Sequence, residues 1–120
     1  MHELGIAQSV IDAVHGETAR HVGAKPLKIA VRIGELSAID PDALRFSFEA
    51  LTRETELQDL ELEIEVCPRR HRCLDCATEF GVKDFIFNCP QCGSVRNDCI
   101  SGEELELAYL VLEEHEPSTA

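Results

Sequence analysis

Two cysteine pairs, Cys73-Leu-Asp-Cys76 and Cys89-Pro-Gln-Cys92, carry the chemistry most plainly written in this chain. Two intervening residues let one tight turn aim both sulfurs of a pair at a single point. Two such pairs brought together offer the four thiolates of a closed tetrahedral zinc site. Pro90 presets the backbone of the second turn, and Gly93 is free to take the positive φ that follows it. Four sulfurs leave no position for water, so the spacing predicts an architectural zinc ribbon, not a hydrolytic metal. Two disulfides, or four buried thiols, are the alternatives. Cys67 and Cys99 stand outside the pairs near the two ends of this stretch and are expected to be small buried hydrophobes, a spare-ligand or redox role being the other reading. His71, among Arg69, Arg70 and Arg72, is expected at the surface, entering the metal sphere only if a cysteine left.

A second candidate is the N-terminus, Met1-His2-Glu3. The Met1 amine, the backbone nitrogen of His2 and the His2 imidazole are adjacent donors on one continuous chain. They can close chelate rings around a metal that favours nitrogen in a square arrangement, as Ni(II) and Cu(II) do. Glu3 offers an oxygen or balances charge, which matters because a cation at a helix N-terminus meets the unfavourable end of the dipole. By pattern alone, a histidine after the first methionine means little and is far more often an ordinary surface residue than a metal ligand.

Composition bounds what these groups serve. With 120 residues and 44% hydrophobic content, the chain can build one modest core and one metal-held appendage. No run of eighteen apolar residues and no basic-then-apolar leader is present, so the expectation is a cytoplasmic protein with no membrane partner. A reducing compartment favours metal thiolates over disulfides. Zinc ribbons often serve nucleic-acid binding, which needs a basic face, but 23 Asp and Glu against 11 Lys and Arg give a net charge of −12. No nucleic-acid partner is expected.

The elements that must position the candidates can be taken in order. From His2 to Val22, Leu4, Ala7, Ile11, Val14 and Thr18 repeat at helical spacing, widened by Ile6, Val10 and Ala13, and Gly23 and Pro26 end the helix. Lys28 to Ile33 alternates as a strand closed by Gly34. Asp40-Pro41 reads as an N-cap and first helical residue, opening a second helix to about Glu54 with Leu44, Phe48 and Leu51 buried. Leu60, Leu62, Ile64 and Val66 alternate with Glu61, Glu63 and Glu65, a strand with three carboxylates in water. Leu105, Leu107, Tyr109 and Val111 repeat the alternation, and Glu116 to Ala120 read as a frayed tail. Phe80, Phe85 and Phe87 are expected to cover the metal knuckle. The fold class is α+β, a small three-stranded sheet with two helices on one face and an inserted zinc-ribbon domain. The expected partition is an α/β domain over 1–66 and 100–116 and a ribbon domain over 67–99.

Met1-His2-Glu3-Leu4, Ile6-Ala7-Gln8-Ser9, Ile33-Gly34-Glu35-Leu36, Leu44-Arg45-Phe46-Ser47-Phe48, the paired cysteines and Ser101-Gly102-Glu103-Glu104-Leu105 together resemble the HypA/HybF family of hydrogenase nickel-incorporation proteins. The resemblance implies a nickel metallochaperone without catalytic turnover. By it His2 is the essential nickel ligand with the Met1 amine and Glu3 beside it, Cys73, Cys76, Cys89 and Cys92 hold structural zinc, and Ni(II) is transient cargo. It allows Asp40 as an occasional oxygen ligand, although the cap explains that residue locally. The implied partners are a HypB-type GTPase and the large subunit of a nickel-iron hydrogenase, with a homodimer left open. A zinc-ribbon module that binds only proteins, or a thiol redox module, is the alternative.

Overall fold

A computed structural model describes residues 2–114; Met1, the His2 side chain and the tail at 115–120 lie outside the described residues. The elements are α1 His2–Ala19, β1 Lys25–Gly34, a 3-10 turn at Glu35–Ser37, α2 Pro41–Thr52, β2 Glu61–Cys67, β3 Arg70–Cys73, β4 Glu79–Gly81, β5 Asn97–Ser101 and β6 Leu105–Glu113. The chain forms two compact units, one of Met1–Arg32, Ile39–Glu65 and Glu106–Ala120, the other of Ile33–Ala38 and Val66–Leu105.

In the first unit, Ala7, Val10, Ile11 and Val14 of α1 are buried, whereas Leu4 remains 42% exposed, so the apolar stripe begins only in the second turn. The helix stops at Ala19, short of Val22. Turns carry the chain on through Arg20 N–H to Glu17 O and Ala24 N–H to His21 O, and Gly23 takes a φ of 82°. The strand claims Pro26 at its start, where a missing N–H is tolerated. Asp40 caps α2: its Oδ1 accepts from Asp42 N–H at 2.9 Å and Ala43 N–H at 3.4 Å, with Pro41 following. Leu44, Ser47, Phe48 and Thr52 face inward.

The strand order is β2-β1-β6, so β1 is central, and its Ile29, Val31 and Ile33 are buried. Helix α1 shares a groove with Ile29, Leu110 and Leu112, and Arg45 of α2 donates to Leu62 O at 2.7 Å. Both helices therefore cover one face. In β6, Ala108, Leu110 and Leu112 are half-buried, while Leu105, Leu107, Tyr109 and Val111 are exposed. Alternation sets the period of this strand but not its phase. Among the described residues no helix is long and apolar enough to cross a membrane.

The three carboxylates of β2 are exposed as expected, and the outer face adds cations to them in an ionic array. Lys28 lies 3.3 Å from Glu63 and 4.0 Å from Glu61, and Arg32 lies 3.0 Å from Glu65 and 3.3 Å from Glu106. Tyr109 donates its hydroxyl to Glu63, and Lys28 sits 6.0 Å above the Tyr109 ring. The Tyr109 hydroxyl, then Lys28, lowers the Glu63 pKa; the hydrogen bond to Glu63 raises those of Lys28 and Tyr109. Stability from Glu63 is thus present above the usual carboxylate range and lost as pH falls through its lowered value. Stability from Lys28 and Tyr109 is present below their ordinary values of 10.5 and 10.0 and lost as pH rises through the raised ones. Glu63→Gln is expected to lower Tm at neutral pH, with the difference from wild type shrinking below about pH 4. Calorimetric Tm profiles of the two proteins check this, and a difference that grows on acidification contradicts it.

The second unit holds a sheet of order β4-β3-β5, antiparallel throughout, with His71 opposite Phe80 on one side and Cys99 on the other. Strands of three to five residues carry no alternation long enough to be read in advance. A backbone clasp stands beside this sheet. Gly34 N–H donates to Glu104 O and Leu36 N–H to Gly102 O, each at 2.6 Å, and Arg69 N–H donates to Glu35 Oε2 at 2.8 Å. A Cβ on Gly34 would lie 2.0 Å from Gly102 O.

Candidate metal centre

The two cysteine pairs fold into matching knuckles. Cys73 N–H donates to Thr78 O and Cys89 N–H to Ser94 O, each at 2.9 Å; Ala77 N–H donates to Cys73 O at 3.0 Å and Gly93 N–H to Cys89 O at 2.8 Å. The residue after the second cysteine takes positive φ in both, 76° at Gly93 and 66° at Ala77. The glycine meets that demand freely, whereas the alanine accepts a left-handed conformation that the knuckle imposes.

Closing the knuckles on each other brings four sulfurs within 4.8 Å of one another, with Cys73 to Cys92 and Cys76 to Cys89 both at 3.5 Å. A zinc ion bound to thiolates at about 2.3 Å needs tetrahedral edges of about 3.8 Å, so the set fits one four-coordinate ion. Among the described residues these four cysteines are the group of His, Cys, Asp and Glu side chains able to hold a metal. Cys73 and Cys89 are 1% and 2% exposed and pack with Phe80, Val82 and Phe87; Cys76 and Cys92 are exposed. The centre has a dry edge and a wet edge.

Hydrogen bonds to sulfur come from the knuckles themselves. The Cys76 thiol donates to the Thr78 hydroxyl at 3.1 Å, a contact in which the hydroxyl becomes the donor once the sulfur loses its proton. Gln91 N–H points at Cys89 Sγ at 3.4 Å, and the backbone N–H groups of Thr78 and Ser94 serve Cys76 and Cys92. The Thr78 hydroxyl and then its backbone amide pull the Cys76 thiol down to about 6, well into the range where it gives up its proton to a metal. Ser94 occupies the place in the second knuckle that Thr78 holds in the first, but its hydroxyl donates to Asp75 Oδ2 instead. Asp75 Oδ1 also takes Arg96 Nη1 at 3.0 Å, and Leu74 N–H donates to Arg96 O at 2.9 Å, tying the first knuckle to the segment after the second. The shared offset of Thr78 and Ser94 behind each pair is visible in the sequence, but their opposite bonding is not.

His71 is not a surface residue. It is 5% exposed, with its ring 6.2 Å from that of Phe80 and 5.9 Å from that of Phe87. Asn97 donates to Phe87 O and Val95 O, which turns its Oδ1 toward His71 Nδ1 at 2.6 Å, while Arg69 Nε donates to His71 Nε2 at 3.0 Å. That pattern places the ring proton on Nδ1. Both nitrogens are engaged in bracing β3 beneath the knuckles, so the ring has no free donor for a metal. The flanking Arg69 stacks 4.8 Å over Phe87. Phe80 and Phe87 cover the knuckles as expected; Phe85 does not, being 84% exposed. Cys99 is exposed and Cys67 half-buried, and neither joins the four. Cys99 instead donates its thiol to Ser101 O at 3.2 Å. At the other end of the chain, α1 begins at His2 and Glu3 stands half-buried in its first turn, while Met1 and the His2 side chain lie outside the described residues.

Residues 1–112 match the family described as hydrogenase/urease nickel incorporation, metallochaperone, hypA. The chain belongs to the HypA family. It is 40% identical over 113 residues to the hydrogenase maturation factor HypA of Geobacter metallireducens, spanning 94% of this chain and 100% of that one. With HypA of Nostoc punctiforme it is 42% identical over 114 residues, covering 95% of this chain and 97% of the relative. The solution structure of the Ni metallochaperone HypA from Helicobacter pylori aligns with a TM-score of 0.60 at 28% identity, over 94% of this chain and 98% of that one. A second solution structure of a HypA protein gives 0.66 at 26% identity, over 96% and 98%. As a HypA family member the protein is a metallochaperone of enzyme maturation and not itself an enzyme.

Proposed function

We propose that this protein binds Ni(II) at its N-terminus, through His2 with the Met1 amine and Glu3, and delivers it to the large subunit of a nickel-iron hydrogenase. The observation that carries this reading is the HypA family match from residue 1 onward, with Met1-His2-Glu3 at its head. The fold supports it in one respect. Helix α1 starts at His2, and the next apolar residue, Leu4, is 42% exposed, so the first turn is not sealed into the core. A few-ligand site at an accessible terminus suits cargo that must be handed on, whereas a cage of four thiolates suits an ion that stays. The second unit accordingly holds zinc in Cys73, Cys76, Cys89 and Cys92 as a structural cofactor. A HypB-type GTPase acts alongside, in the cytoplasm.

Nickel titration of the untagged protein against His2→Ala tests the central assignment, because an added N-terminal tag would block the amine. The expected result is binding weaker by roughly tenfold or more in the variant, with zinc content unchanged. Equal nickel affinity in the two proteins would overturn it.

A further inference from the structure

The two exposed thiolates of the centre are not equivalent. Cys76 and Cys92 hold matching places in matching knuckles, yet Cys76 faces the Thr78 hydroxyl at 3.1 Å, whereas the hydroxyl in the corresponding place behind Cys92, that of Ser94, is committed to Asp75. Asp75 is itself held by Arg96 at 3.0 Å, and Arg96 N–H donates to Ser94 Oγ at 3.1 Å, so the Ser94 hydroxyl is fixed from both sides. We propose that Cys92 is the modification site of the metal centre, the ligand that a soft carbon electrophile captures first, and that Thr78 is the positioning residue that shields Cys76 from the same attack.

The physical reason is charge on sulfur. A metal-bound cysteine is already deprotonated, so its reactivity follows the electron density left on the thiolate and its access to solvent. A hydroxyl donated to sulfur withdraws density and lowers nucleophilicity, and it occupies one of the directions from which a reagent approaches. Burial removes Cys73 and Cys89 from competition at 1% and 2% exposure. The remaining pair each take a backbone N–H two residues on, from Thr78 and from Ser94, so the hydroxyl that Thr78 adds at Cys76 is the difference that leaves Cys92 the richer sulfur. With an alkyl iodide, the Cys92 sulfur attacks the carbon bearing iodine. A carbon–sulfur bond forms as the carbon–iodine bond breaks, iodide departs with the bonding pair, and the sulfur becomes a neutral thioether. Cys92 would then no longer offer an anionic sulfur to an ion held by the four cysteines, which would weaken its retention.

This inference rests on the reading of the four cysteines as a metal site, and the test separates the two. Metal content of the untagged protein is measured first. The loaded protein is then treated with limiting iodoacetamide, and labelling is mapped to each cysteine by peptide fragmentation while a chromophoric chelator follows metal release. Cys92 is expected to label about fivefold faster than Cys76, the effect of one hydrogen bond to sulfur, with metal release tracking Cys92. Thr78→Val is expected to bring Cys76 up to the Cys92 rate, and Thr78→Ser to restore the difference. A protein that carries no metal overturns the metal reading and this one with it. A loaded protein in which Cys76 labels as fast as Cys92, or in which Thr78→Val leaves the ratio unchanged, overturns this inference alone. Should Thr78→Val fail to load metal, the wild-type ratio still decides.

Discussion

Stripping the metal from the four-cysteine centre, or replacing Cys73 by Ser, is expected to unfold the second unit and leave the helices of the first in place. The buried cluster of that unit is Cys73, Phe80, Val82 and Cys89 with Phe87 packed against it, so two of its four buried members are themselves ligands. A core this small cannot offset the entropy of ordering its chain. Metal binding in comparable small thiolate sites contributes an apparent 10 to 16 kcal/mol, roughly. The interior of the first unit is independent of the sulfurs: Ala7, Val14, Ile29, Leu44 and Phe48 are at most 2% exposed. Amide NMR spectra during chelation would show collapse of the signals from 66–105 with helical circular dichroism largely kept. Full dispersion of those amides in verified metal-free protein would sink the idea.

Gly34→Ala is the second large effect expected. The added methyl would stand 2.0 Å from Gly102 O and 2.1 Å from Gly102 C, and both atoms are backbone, so no side chain can swing aside. Separating the two segments breaks the 2.6 Å bonds of Gly34 to Glu104 and of Leu36 to Gly102. Arg69 closes in on Gly102 as well, since a Cβ there would lie 2.9 Å from Arg69 Cα, and the φ of 113° keeps that position to glycine. Overpacking plus lost hydrogen bonds in the clasp costs about 3 kcal/mol or more. That corresponds to a fall in Tm of roughly 10 °C or more in a chain of this size. Calorimetry on metal-loaded protein measures it, and a Tm within about 2 °C of wild type would count against the clasp.

The elements legible in advance were those whose signals are local. Asp40-Pro41 announced a cap and delivered one, because the bonds to Asp42 and Ala43 span two and three residues. The long strands announced their period, yet the exposed row Leu105, Leu107, Tyr109 and Val111 shows that period alone does not say which face meets the core. The Glu61, Glu63 and Glu65 row is exposed as its alternation implies, but the Lys28 and Arg32 that pair with it come from β1, distant in sequence. Phe85 sits in a turn closed by Ile86 N–H to Lys83 O, with φ positive at Asp84 and Phe85, and that geometry turns the ring outward. His71 was misread because its partners are distant in sequence, Asn97 lying twenty-six positions away.

By itself the sequence determined the four-cysteine donor set, at a spacing that one ion can gather. Ligand identity and local spacing survive any arrangement of the rest of the chain. Only the tertiary structure decided which thiolates are dry and which are wet, that the Thr78 hydroxyl serves sulfur while that of Ser94 serves Asp75, and that two glycine backbones must touch at Gly34 and Gly102. Burial, hydroxyl orientation and backbone approach depend on segments far apart in the chain meeting in space, and no local pattern encodes that meeting.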